Sequence, residues 1–154
     1  MHQVLVTGAS GGIGRAIAWS LAERGARVAL HYNSDPVAAE ETRRALTGTG
    51  HMLFGADLSD AAAIEPFWRE VMRAFGRVDA LVNNAGIYEE HPPVTADYNA
   101  WNEVVKRTMA VNFLGPAQLS FFAARTMVQQ GSGRIVSAEV RWPGLVIWKP
   151  RSWT

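Results

Sequence analysis

The sequence predicts a doubly wound α/β domain, with a parallel sheet in the strand order 3-2-1-4-5. Two observations and one rule carry this expectation. Short apolar runs recur at Val4-Leu5-Val6, Val28-Ala29-Leu30, Met52-Leu53-Phe54, Ala80-Leu81-Val82 and Ile135-Val136. They are continuous rather than alternating, which is the pattern of strands buried on both faces. Longer amphipathic stretches with readable ends separate them, and strand–helix alternation of this kind is the pattern of parallel sheets. Right-handed crossovers then set the strand order.

The elements follow in turn. The first helix opens at Gly12-Ile13-Gly14, carries Ile13, Ile17 and Leu21 at spacing four, and meets a natural stop at Gly25. The second opens at Asp35-Pro36, an N-cap followed by a proline in the first turn. Glu40 and Arg44 stand four apart on it, and Gly48 is its expected end. The third opens at Ser59, presents Ile64, Phe67, Trp68, Val71 and Phe75 on one face, and closes at Gly76. A long helical stretch runs from about Thr95 to Val128. Pro116 lies inside it, so a kink or break is expected near Gly115. Residues 88–93 read as a solvated loop before that helix.

Composition narrows the function. The chain has 154 residues, is 48% hydrophobic and 19% charged, and carries a net charge of +1. One cored domain fits that size, and so small a charge offers no footprint for nucleic acid. No cysteine is present, which excludes a disulfide scaffold, a cysteine nucleophile and thiolate metal sites, and suits a reducing cytoplasm. The apolar runs are far too short to span a membrane, and the N-terminus lacks the basic region of a signal peptide. His31, His51 and His91 show no metal-ligand spacing, so no metal site is expected. The expected domain covers residues 1–137. Residues 138–154 form an atypical tail, with Trp142, Trp148 and Trp153 crowded into it and helix excluded between Pro143 and Pro150.

The segment Thr7-Gly8-Ala9-Ser10-Gly11-Gly12-Ile13-Gly14 follows a strand and opens a helix. Such a loop can lay backbone N–H groups against a pyrophosphate where the helix dipole favours negative charge. Gly8 would allow the tight turn, Gly12 the approach of phosphate, and Gly14 close packing of helix on strand. An ordinary strand–helix turn that tolerates glycine is the plainer alternative. In this loop, in Asp57-Leu58, in Asn83-Asn84-Ala85-Gly86, in Asn112 within the long helix and in Gly133-Arg134-Ile135-Val136, the chain resembles the short-chain dehydrogenase/reductase family over residues 3 to about 136. The segment after the second strand looks most like reductases of the 3-oxoacyl-acyl-carrier-protein type.

The resemblance implies a Rossmann-type domain and an NAD(P)(H)-dependent oxidoreductase, moving hydride between a nicotinamide and a small ketone or secondary alcohol. It places the cofactor on Thr7, Gly8, Ser10, Gly12, Ile13 and Gly14, on Tyr32, Asn33 and Ser34, on Asp57 and Leu58, and on Asn84, Ala85 and Gly86. Asp57 would accept from the adenine amino group; the plainer alternative is an N-cap or turn aspartate beside Ser59. Asn84 is either a cofactor contact or a pin between strands. Asn112, the one catalytic residue implied, would help hold a relay water through its backbone, or else bond its own helix at a kink. Full-length members are expected to be homo-oligomers. NADP(H) is favoured over NAD(H): no acid follows the second strand before Asp35, and Asn33 and Ser34 can donate to a phosphate, although Gly11 stands where many NADP-preferring members carry a basic residue.

The family's chemistry also uses a serine just after the fifth strand and a Tyr-x-x-x-Lys motif about a dozen residues later. All three tyrosines, Tyr32, Tyr88 and Tyr98, precede that strand. Ser137 comes two or three residues early for the serine. The expectation is a chain that stops before its catalytic pair, with the sheet incomplete on that side. A catalytically inactive dinucleotide-binding fragment or interaction module is the alternative function. The tail is expected to lie loosely and to leave an edge that associates.

Overall fold

The computed structural model describes residues 1–138 of the chain. Five strands, β1 (Gln3–Val6), β2 (Arg27–Tyr32), β3 (Met52–Gly55), β4 (Ala80–Asn83) and β5 (Arg134–Ser137), form one parallel sheet in the order β3-β2-β1-β4-β5. This is the order expected from the sequence.

Alternation along the strands builds two cores. Val4, Val6, Val28, Leu30 and Val82 point to the face covered by α1 (Gly12–Glu23). Leu5, Ala29, Phe54 and Leu81 point to the other, against α3 (Ala61–Phe75) and α5 (Gly115–Gln130). The strands β1 and β4 are buried on both faces apart from their first residues, and β2 apart from both its ends. The edge strands depart from the expectation. Only Phe54 of β3 is buried, and all four residues of β5 are exposed; among the described residues these two strands end the sheet, where the flanking helices cover its faces least.

Several helix limits also differ. In α1 the buried stripe is Gly14, Ala18 and Ala22, while Ile13 is 70% exposed. The helix lies so close to the sheet that small residues line its centre, while Ile17 and Leu21 of the expected face are half-buried and pack against the same core beside them. The second helix, α2 (Pro36–Ala45), starts as read, with the Asp35 carboxylate accepting from Ala38 N–H at 2.8 Å, but ends before Gly48. The Glu40 carboxylate accepts from Arg43 and Arg44, which holds its pKa down at about 2. The N-cap of α3 is Asp60, accepting from Ala62 N–H, and not Ser59. Its apolar face is buried as read, and Gly76 closes it at φ +75°.

The long stretch is helical from Tyr98 to Gln130 but changes pitch in the middle. Between α4 (Tyr98–Met109) and α5, residues Ala110–Leu114 form a π turn, with Gly115 N–H reaching the Ala110 carbonyl. The expected break is therefore a widened turn just ahead of Pro116. A proline has no N–H to give the preceding turn, and widening absorbs the loss. Residues 84–92 form an open loop, anchored by an ion pair between Glu89 and Arg107. Residues 139–154, on which the expectation of a loosely held tail falls, lie outside the described residues. Among the described residues no helix is long and apolar enough to cross a membrane.

The close seat of α5 gives a test. A Cβ on Gly115 would stand 2.5 Å from the Leu58 carbonyl oxygen. Helix propensity alone predicts that Gly115→Ala stabilises by about 1 kcal/mol. Overlap with backbone predicts a loss of about 1–3 kcal/mol. We expect the overlap to prevail and the urea midpoint to fall.

Candidate functional site

The order β3-β2-β1-β4-β5 reverses direction between β1 and β4. The chain leaves β1 towards one face and β4 towards the other, which opens a crevice at their carboxyl ends. Thr7 holds this point together. Its hydroxyl donates to the Val82 carbonyl and accepts from Asn84 N–H at 2.8 Å and Ala85 N–H at 2.9 Å. The Asn84 side-chain amide donates back to the Thr7 and Gly8 carbonyls. A Cβ on Gly14 would overlap the Gly8 carbonyl oxygen and stand 2.6 Å from Asn84 Nδ2. Glycine is thus required where α1 meets this knot.

Around the knot lie three cavities. The first, about 730 Å³, is lined by Gly8, Ser10, Gly12, Ile13, Asn84, Ala85 and Gly86 among others. A smaller one, about 140 Å³, adjoins it and adds Asn33, Asp57, Leu58, His31 and Val111. The third, about 510 Å³, lies towards the π turn and is lined by Asn112, Met109, Phe113, Ser120, Asn83 and Ser137 with others. Two of the residues around this third cavity, Asn83 and Thr108, each bury a side-chain oxygen with no hydrogen-bond partner within the protein.

The structure brings most of the expected cofactor residues together and separates four. Thr7 is fully buried and lines none of the three cavities, since its hydroxyl is spent on β4. It shapes the site without touching it. Gly14 is buried under α1 in the same way. Tyr32 turns its ring over Gly55, where a Cβ would meet it at 3.0 Å, and lines none of these cavities either. Ser34 also lies outside them, in the bend that leads to α2.

The polar residues resolve their alternatives. Asp57 makes the turn read from its neighbour: Oδ1 accepts from Ser59 Oγ at 2.7 Å and Ser59 N–H at 2.8 Å, and these bonds lower its pKa. It lines the smaller cavity as well. Asn84 is a pin between strands that also borders the larger crevice. Asn112 does not bond its own helix through its side chain. Its Oδ1 accepts from Ile87 N–H at 2.8 Å and its Nδ2 donates to the Ile87 carbonyl at 2.9 Å, so the amide ties the π turn to the loop after β4.

Sequence reasoning missed His31. The ring is 2% exposed, packs edge-on against Phe67, and sits in the wall of the smaller cavity. Nδ1 accepts from Gly8 N–H at 3.1 Å and Nε2 donates to the Ala56 carbonyl at 2.9 Å. A histidine inside an apolar strand end was the available signal. Arg15 was also passed over: it donates to the Ser10 carbonyl at 2.9 Å and to Thr42 Oγ1 at 2.8 Å, placing a cation beside the glycine loop.

The fold is a doubly wound α/β domain with an open crevice at its strand reversal, and comparison with known proteins gives its family. The chain belongs to the short chain dehydrogenase family, whose model matches residues 2–140. An uncharacterized oxidoreductase of Thermotoga maritima is 40% identical over 136 residues, covering 87% of this chain and 51% of that protein. The 3-oxoacyl-acyl-carrier-protein reductase of Escherichia coli is 38% identical over 134 residues, covering 86% and 52%. A crystal structure of a short chain dehydrogenase from Burkholderia cenocepacia in complex with NADP matches with a TM-score of 0.76 at 34% identity, covering 88% of this chain and 54% of that one. The chain spans about half the length of these relatives.

Burial holds the His31 pKa below its ordinary value of 6.5, against the smaller opposing pulls of the Ala56 carbonyl and Asp57. The unfolded chain therefore takes up this proton at higher pH than the folded one. Stability from this group is complete above about pH 6.5 and drains away as the pH falls below it. We expect the melting temperature to be flat from pH 8 to 7 and to fall from about 6.5 downward, above the carboxylate range. The non-titrating variant His31→Asn should lack that fall in its thermal melts.

Proposed function

We propose that this chain is the cofactor-holding part of an NADP(H)-dependent oxidoreductase, acting on a small ketone or secondary alcohol in the cytoplasm. The observation that carries this reading is the crevice at the strand reversal, with the start of α1 opening into it. Ideal Cβ positions on Gly11 and Gly12 meet no atom within 4 Å, so the loop surface is open to a ligand. The N–H groups of the first helical turn have no partner within the helix, and they lie at the positive end of its dipole. The residues present therefore fit a pyrophosphate.

The division of labour follows from the cavities. The glycine loop would hold the phosphates, and the smaller cavity with Asp57 and Asn33 would hold the adenosine. The apolar cavity beside the π turn would take the nicotinamide and substrate. When bound, the dinucleotide supplies the site that accepts or donates hydride. Asn112, fastened to Ile87, would set the spacing between the π turn and the loop after β4, and Pro116 withholds the N–H that an α-helix would bring to the Asn112 carbonyl. That supports a backbone role for Asn112 in holding water. Neither nucleic acid nor a membrane has a part in this reading.

Three features favour NADP over NAD. Asn33 lines the adenosine cavity with no acidic residue before it on β2. Arg15 stands beside Ser10. The Burkholderia relative was solved with NADP.

Titration of the 154-residue polypeptide with NADPH, followed by reduced-nicotinamide fluorescence, should give saturable binding, and no binding would overturn the reading. Since the family's acid–base pair is a Tyr-x-x-x-Lys that these 154 residues lack, the same polypeptide should not oxidise NADPH with broad carbonyl substrates above background; losing a general acid–base costs about 10²–10⁴-fold. Steady turnover traced to it would show that another group serves.

The empty space at Gly11 tests the preference separately. Its backbone is extended, at φ −164°, so any side chain is tolerated. Gly11→Arg should place a cation beside the loop and strengthen NADPH roughly tenfold relative to NADH, since a bond to a charged group contributes about 1.5–3 kcal/mol. An unchanged ratio would place the ribose elsewhere.

A further inference from the structure

Three strands end at the adenosine cavity, and each is followed by a loop that helps to shape it. The loop after β1 carries Gly8, at φ +65°, a conformation that glycine adopts without strain. A Cβ there would stand 2.9 Å from Ala85 Cα, so the turn is pressed against the loop after β4. The loop after β3 carries Ala56 and Asp57. Between them, on β2, is His31. The flanking backbone is already paired: Thr7 N–H to Val82, Ala9 N–H to the His31 carbonyl, and Ala56 N–H to Tyr32. Gly8 N–H bonds the imidazole instead.

Both ring nitrogens have defined roles because their partners have no choice. A backbone N–H only donates, so Nδ1 must offer its lone pair to Gly8. A backbone carbonyl only accepts, so Nε2 must carry the hydrogen given to Ala56. The ring is one rigid spacer linking two loops from the strand between them. Phe67 of α3 closes one side of it at a centroid distance of 5.2 Å.

We propose that His31 is a positioning residue for the dinucleotide, whose Nδ1 fixes Gly8 N–H and with it the turn on which the glycine loop stands. This rests on the cofactor reading above and adds to it a residue with no direct place among the phosphate contacts. Without the Nδ1 acceptor, Gly8 N–H is left seeking another partner in a half-buried turn. The loop then samples arrangements in which the first turn of α1 no longer faces the crevice. Apparent affinity falls in proportion to the competent fraction.

The test separates the two ends of the ring. In His31→Asn the side-chain oxygen replaces Nδ1 and keeps the acceptor for Gly8. In His31→Gln the longer amide reaches towards Ala56 and the acceptor at Nδ1 is lost. His31→Phe loses both. All three should lower the melting temperature. Affinity for NADPH should stay within about threefold of the parent in His31→Asn and fall about tenfold in His31→Gln and His31→Phe. Equal losses in His31→Asn and His31→Gln would overturn the proposal, as would parent-like affinity in His31→Phe. Amide hydrogen exchange at Gly8, measured on the same proteins without ligand, gives an independent readout. Protection retained in His31→Asn and lost in His31→Gln supports the clamp, and protection unchanged in His31→Gln overturns it. If the parent binds no dinucleotide, the cofactor reading fails, and the exchange data still decide whether His31 holds the loop.

Discussion

The hydroxyl of Thr7 is the small group on which the rest of this architecture turns. At the end of β1 the chain must leave for α1 on one face, while β4 leaves towards the opposite face. Backbone pairing between the two strands must stop there, and stopping leaves N–H groups without partners in a buried place. An unpaired buried donor costs about 1–3 kcal/mol. Thr7 Oγ1 accepts two of them, from Asn84 and Ala85, and donates its own hydrogen to Val82. Asn84 completes the knot by bonding the carbonyls of Thr7 and Gly8. The strands can then part without exposing unsatisfied backbone, and the gap between them becomes a binding crevice.

Two further ties keep that crevice in shape, and each uses a side chain to bond backbone. His31 joins Gly8 to Ala56, and Asn112 joins the π turn to Ile87. Both have a donor and an acceptor on one rigid group, which suits a site whose walls are loops. Loops lack a repeating ladder, so their relative positions depend on such individual bonds. Close approach does the remaining work. Gly14 and Gly115 sit where a single methyl group would meet a carbonyl oxygen, and α1 and α5 therefore pack on the knot and on the Leu58 loop more tightly than larger residues allow.

Fold class, strand order, the Asp35 cap, the buried face of α3 and the disturbance ahead of Pro116 were all legible in the sequence. Each depends on local pattern: a run of apolar residues, a spacing of three and four, a missing N–H. The glycine loop and the Asn-Asn-Ala-Gly segment were legible as motifs. Three-dimensional neighbours decided the rest. Which stripe of α1 is buried depends on how near that helix lies to the sheet, and nothing within residues 12–23 states that distance. Exposure of β3 and β5 depends on how little of the described structure covers their faces, which a short apolar run does not reveal.

The sequence by itself determined that this chain folds as a parallel α/β domain of the short chain dehydrogenase family, because periodicity and motif order are properties of the chain read along its length. Only the tertiary structure decided what the individual polar residues do. Thr7 and Asn84 are 77 positions apart, Gly8 and His31 are 23 apart, and Ile87 and Asn112 are 25 apart. A hydrogen bond is made by geometry within about 3 Å and leaves no periodic trace in the residues between its partners. His31 therefore read only as a histidine without metal-ligand spacing, and folding alone placed its two nitrogens between the loops that they join.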